Sequence, residues 1–116
     1  MSLFFTCMIL FQFKHFFVDF PLQTPRMLIE KGMYLRPYGL LHSLLHGVAT
    51  AMILALVHPG FMVFGLLDAV IHYHVDYVKT RWGEKDNRKP VFWTQLGIDQ
   101  LVHQLTYLVI LGLVFV

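Results

Sequence analysis

Four long apolar stretches, set apart by prolines and charged connections, constrain this chain more than any other feature. They run from about Leu3 to Phe20, Tyr38 to Val57, Phe61 to Val78 and Val91 to Val116. The first stops at Pro21 and the second at His58-Pro59-Gly60. Each holds roughly 18 to 25 residues, enough for a helix to cross about 30 Å of hydrocarbon. Backbone groups cannot stay unpaired in lipid, so helices are the only spanning form open to segments of this length. Composition agrees: 57% of the 116 residues are hydrophobic and 14% charged, more apolar surface than a soluble domain of this size can hide. A formal charge of +2 from scattered basic residues argues against nucleic acid as a partner. The single cysteine, Cys7, excludes an internal disulfide and a thiolate zinc cluster. The first stretch lacks the basic start and cleavage site of a signal peptide and is interrupted by Lys14, His15 and Asp19, so it reads as a retained helix. The expected fold is all-α: one transmembrane domain over residues 1–116, built as a four-helix bundle.

The nine basic residues lie in or beside two connections, 21–37 and 79–90. Under the positive-inside rule both connections are cytoplasmic, and both termini face outward from a bacterial inner membrane. Trp82 and Trp93 bracket the second connection, where interfacial aromatics belong.

The chain also repeats itself. His15-Phe-Phe-Val-Asp19-Phe20 returns as His72-Tyr-His-Val-Asp76-Tyr77, 57 residues later. The same offset carries His46 to His103 and His42 to Asp99. Four polar positions sharing one offset, almost half the chain, imply two helical hairpins of like orientation, related by a pseudo-two-fold axis along the membrane normal.

Each expected helix then carries one i, i+4 pair of metal-ligand residues: His15/Asp19, His42/His46, His72/Asp76 and Asp99/His103. That spacing puts both side chains on one face. At 1.5 Å per residue all four pairs fall within roughly 3 to 15 Å of the cytoplasmic boundary. A lone pair of this kind reads most simply as a hydrogen bond across a helix interface. Together, three carboxylates at roughly 2.5 to 3.5 kcal/mol each near the bilayer centre demand neutralisation. Only Lys14 and Lys79 are near enough in sequence to supply it, both at helix ends. One or two divalent ions would satisfy carboxylates and imidazoles at once. The donor set suits Zn²⁺ first, with Fe²⁺ and Mn²⁺ as alternatives. Asp68, one turn deeper than His72, reads as support for the histidines or as an unpaired proton carrier. Gln23, Gln100 and Gln104 read as hydrogen-bond partners at the rim, while His58 and His74 fall outside the set.

Lys14-His15-Phe16…Asp19-Phe20…Gln23-Thr24, Gly39-Leu40-Leu41-His42…His46, His72-Tyr73-His74…Asp76-Tyr77…Lys79-Thr80 and Asp99-Gln100…His103 resemble a family of small bacterial and phage membrane proteins, the domain of unknown function numbered 3307. That resemblance implies no particular reaction. More loosely, His42-x-x-x-His46 and His72-x-x-x-Asp76 are similar to elements of membrane-bound metal-dependent hydrolases, without that group's additional acidic motif.

The functional expectation is a metal-dependent hydrolase open to the cytoplasm. A bound ion would bring its water's pKa toward neutrality, and Asp19, Asp76 or Asp99 would serve as base. Lys79, Arg81, Arg26 and Arg36 would receive an anionic substrate such as a phosphate ester or lipid headgroup. Two alternatives stand beside it: a metal-ion or proton transporter or channel, and a metal-stabilised membrane protein acting through a partner. Membrane lipids are expected partners, and self-association is left open.

Overall fold

The computed structural model describes residues 1–116. Helices take 79% of the chain and there are no strands. The elements are α1 (Leu3–Asp19), α2 (Pro25–Glu30), α3 (Pro37–Ala55), α4 (Val63–Trp82) and α5 (Pro90–Phe115), with a 3-10 turn at Pro59–Met62 ahead of α4.

Local chemistry accounts for most boundaries. Pro25, Pro37 and Pro90 open α2, α3 and α5, where a missing N–H is no loss and the fixed φ favours the helix. The Ser2 hydroxyl accepts from the Phe5 N–H at 3.3 Å and starts α1, and Thr24 does the same for α2 through Met27 at 3.2 Å. Pro21 disfavours helical geometry in the residue before it, and α1 stops at Asp19.

Two features of the chain depart from the sequence reading. Connection 21–37 is not simply a loop, because α2 folds within it and packs on α3. The third apolar stretch continues as helix four residues beyond Val78, to Trp82. Lys79 and Arg81 in that last turn favour the negative end of the helix dipole.

Three helical segments are long and apolar enough to cross a membrane: Pro37–Ala55, Pro59–Trp82 and Pro90–Phe115. α1, at 17 residues, is too short to qualify by the same measures.

α3 and α4 make the most extensive contact, α1 packs on α3 and α5, and α4 packs on α5. Gly47 and Gly65 let α3 and α4 meet backbone to backbone. A Cβ on Gly47 would stand 2.6 Å from the Gly65 carbonyl oxygen and 2.7 Å from the Ala69 Cβ. Small residues are the usual means of such close approach between membrane helices.

Burial is inverted relative to a soluble domain. The interior holds 11 buried hydrophobic residues against 14 polar or charged ones, while Phe13, Phe16, Phe17, Leu66, Val109 and Leu113 are half exposed or more. An outside of this kind is stable against lipid rather than water, and with the three apolar helices it identifies a membrane protein. The interior divides in two. Cys7, Phe11, Ile53, Leu54, Tyr107, Ile110, Leu111 and Val114 form an apolar cluster at the end where α1 begins and α3 and α5 finish. The ionisable residues gather at the other end, beneath α2 and the 83–89 connection.

Candidate metal centre

All four expected ligand pairs converge. His15 and Asp19 occupy the last turns of α1, His72 and Asp76 the second half of α4, His42 and His46 the first half of α3, and Asp99 and His103 the first half of α5. Two overlapping groups have ligand atoms within 4.8 Å of one another: Asp19, His42, His46 and His72, then His72, Asp76 and His103.

Four atoms form a closed ring at the junction of these groups. His42 Nε2 lies 3.2 Å from Asp19 Oδ1 and 3.5 Å from Asp76 Oδ2. His72 Nε2 lies 3.2 Å from Asp76 Oδ2 and 4.0 Å from Asp19 Oδ1. Both nitrogens of His42, both nitrogens of His72 and Asp76 Oδ2 are buried without a hydrogen-bond partner. A buried polar atom left unpaired costs about 1–3 kcal/mol, and a metal ion could satisfy several of these together. Ligand atoms around a tetrahedral ion with bonds of about 2.0–2.1 Å sit about 3.3 Å apart. The ring edges bracket that separation.

Hydrogen bonds divide the other expected ligands from these four. His46 Nε2 is 2.7 Å from Asp19 Oδ1, and the Lys14 ammonium reaches His46 Nδ1 at 3.0 Å. An ammonium only donates. With Lys14 donating to Nδ1, the Nε2 of His46 faces Asp19 and braces it, and His46 is also one of the four ligand residues of the first group. His103 Nε2 stands 3.1 Å from Asp76 Oδ1 and 3.2 Å from Asp99 Oδ1. His15 joins the Tyr107 hydroxyl and the Gln100 side-chain oxygen, each at 2.6 Å, and lies 3.0 Å from Asp19 Oδ2. Asp99 accepts from Lys79 at 3.1 Å and Gln100 at 3.0 Å. The rings of His46, His72 and His103 stack in sequence, centroids 3.6 and 3.8 Å apart.

The contacts recur at the 57-residue offset. Asp19–His46 at 2.7 Å corresponds to Asp76–His103 at 3.1 Å, and His15–Asp19 at 3.0 Å to His72–Asp76 at 3.2 Å.

The charge balance corrects the sequence reading. Lys14 lies more than a turn inside α1 rather than at its end. It is buried, 2.8 Å from Asp68 and 4.4 Å above the Tyr107 ring. Asp68 is thus paired, not a free proton carrier: it holds Lys14, which reaches His46 Nδ1, and it accepts from the Thr50 hydroxyl at 2.6 Å. A third lysine also enters from the end of α2: Lys31 Nζ stands 3.0 Å from Asp76 Oδ2, without the alignment of a hydrogen bond. With Lys79 at Asp99, all three buried aspartates face lysines. Asp19 alone is surrounded only by imidazoles, so the demand for positive charge is smaller than three bare carboxylates imply.

A cavity of about 760 Å³ reaches from Asp19, Asp76 and Asp99 to Glu84 and Lys85. Of the basic residues expected to receive substrate, Lys79 lines it. Arg26 and Arg36 do not. They flank Glu30 at 3.9 and 3.7 Å, and Arg26 lies over the Tyr38 ring. Arg81 is exposed on α4 outside the cavity. Lys31 and Lys85 line it instead. In the adjoining connection the Asp86 backbone N–H, with Lys89 nearby, draws the Glu84 carboxyl below its ordinary pKa. The Arg88 guanidinium does the same for Asp86.

The remaining histidines are accounted for locally. His58 accepts from the Gly60 N–H at 3.0 Å, and His74 joins Tyr34 and the Val70 carbonyl. Gln23 donates to the Asp19 carbonyl at 2.6 Å. Gln104 accepts from Gln12 at 2.9 Å, away from the centre.

Residues 6–116 match the family described as protein of unknown function, DUF3307, and the chain belongs to that family. Neither the curated proteins nor the solved structures hold a match to it, so the looser likeness to metal-dependent hydrolases gains no support there.

Proposed function

We propose that this DUF3307 protein is a membrane-embedded metal-binding protein that hydrolyses an anionic substrate at its loop face. One observation carries the reading: His42, His72 and Asp76 offer buried, unpartnered ligand atoms in a ring closed by Asp19. The nitrogen and oxygen donors suit Zn²⁺, with Fe²⁺ or Mn²⁺ next. The ring draws one ligand pair from each half of the chain. Its matched contacts at one offset support a four-helix bundle of two duplicated hairpins, with α1 as the fourth span. The basic residues in both connections support a cytoplasmic loop face in a bacterial inner membrane, with outward termini.

A divalent ion there supplies a Lewis acid and an acidified water. The chain's own residues do the rest. His46 and His103 hold the two ring carboxylates in place, and Lys31 and Lys79 offset charge at the cavity floor. Asp99 Oδ1, buried and without a hydrogen-bond partner, is the base that takes a proton.

The test is metal content after purification without added metal. One ion per chain is expected, falling below about a tenth in His42→Ala and His72→Ala. Less than about half an equivalent in the wild type, unchanged in both variants, ends the reading.

The buried Lys14–Asp68 pair favours a second reading, ion or proton transport, because ionisable pairs inside a bundle mark such paths. The apolar cluster filling the far end of the interior weighs against it. Proteoliposome flux separates the two: metal uptake without turnover favours transport.

A further inference from the structure

The cavity above the centre is two-sided in chemistry. Its floor is Asp19, Asp76 and Asp99, and Lys31, Lys79 and Lys85 stand around it. Part of its wall is apolar, with Phe20, Leu28 and Ile29 on the α1–α2 side and Phe92 and Leu96 on α5, and Gln23, Thr80, Gln95 and Gln100 complete the lining. Phe20, Leu28 and Ile29 are 66%, 51% and 63% exposed. Phe20 stacks on Phe16 with centroids 5.6 Å apart and so continues the outward apolar surface of α1 that also carries Phe13 and Phe17. A water-soluble ligand has no use for such walls, and open apolar walls on a membrane protein are continuous with the lipid phase.

Charge decides what the polar part can be. Asp19, Asp76, Glu84 and Asp99 outnumber the three lysines in the lining, so the protein's own groups repel an anion. One divalent ion reverses that balance and adds its own attraction for a phosphate to that of the lysines around it.

We propose that the cavity binds a phosphate-bearing membrane amphiphile, its headgroup at the metal between Lys31, Lys79 and Lys85 and its chain against Phe20, Ile29, Phe92 and Leu96. The volume of about 760 Å³ lies in the range of small-molecule sites, enough for a headgroup with part of one chain. This rests on the metal reading above.

The experiment titrates metal-loaded and chelated protein in a neutral detergent with 1-oleoyl-glycerol 3-phosphate, and separately with glycerol 3-phosphate. Native mass spectrometry counts adducts, and metal content is measured on the same samples. The acylated probe is expected to bind one to one at concentrations at least tenfold below the soluble one, and to be lost on chelation. Ile29→Asn and Leu96→Gln, each retaining the metal, are expected to weaken it at least tenfold while leaving glycerol 3-phosphate unchanged. Equal binding of the two probes would overturn the proposal in favour of a soluble phosphate. Acyl binding that survives chelation or both variants would mark general adsorption to the apolar surface and overturn it too. Metal retained with no adduct overturns this proposal alone, whereas protein without metal removes the reading beneath it.

Discussion

His42 and His72 are buried, and neither ring nitrogen of either has a hydrogen-bond partner. His74, two residues from His72, is fully bonded at the surface. That contrast gives the sharpest residue-scale expectation. His72→Ala should abolish bound metal while His74→Ala retains it, as elemental analysis of the two purified proteins would reveal. Lys14 sets a second one. Lys14→Met strips the counter-ion from Asp68 and should cost about 3–5 kcal/mol, since a buried charge left alone is the costly case. Lys14→Met combined with Asp68→Leu should recover most of that loss, read from unfolding midpoints in detergent. The aspartates and histidines of the centre were legible in the sequence because helical spacing and the internal offset marked them together. Lys31, Thr50 and Tyr107 were not. Lys31 lies outside the apolar helices and has no partner at helical spacing, and its meeting with Asp76 depends on how α2 folds back. Lys14 was visible but misplaced, because sequence alone does not tell which way a long side chain near a helix end will turn.

At the scale of elements, the sequence located the four apolar stretches by their interruptions but missed α2, whose six residues are too few for a periodic signal. The extent of α4 was underestimated for a related reason: hydropathy ends before helical geometry does when the last turn is basic. The contact between α3 and α4 carries its own test. Gly47→Val should destabilise by at least about 1–3 kcal/mol, because the added carbons meet a neighbouring backbone that has no room to yield. Gly97→Ala is the control. Its Cβ meets nothing within 4 Å, so the change should be neutral or stabilise α5 by up to about 1 kcal/mol. Thermal unfolding of the two variants side by side checks both.

For the whole molecule, polar groups inside and apolar groups outside couple the proposed metal binding to folding. If an ion binds the folded form alone, a free concentration one hundred times its Kd adds about 2.7 kcal/mol. Chelation should lower the unfolding midpoint, and readding the metal should restore it. The topology is testable on the same chain, because Cys7 is buried and gives a silent background. Arg88→Cys should react with an impermeant maleimide in inverted vesicles and stay unlabelled in intact cells.

Gly47 follows His46 directly, and Gly65 lies seven residues before His72, two turns along its helix. Where these helices touch, bare peptide rather than a layer of side chains fixes how far apart they stand. The gauge for how far His42 stands from His72 is thus set in part by hydrogen atoms on residues outside that ring. Substitutions that tune which cation fits should be sought at this seam as readily as among the imidazoles themselves.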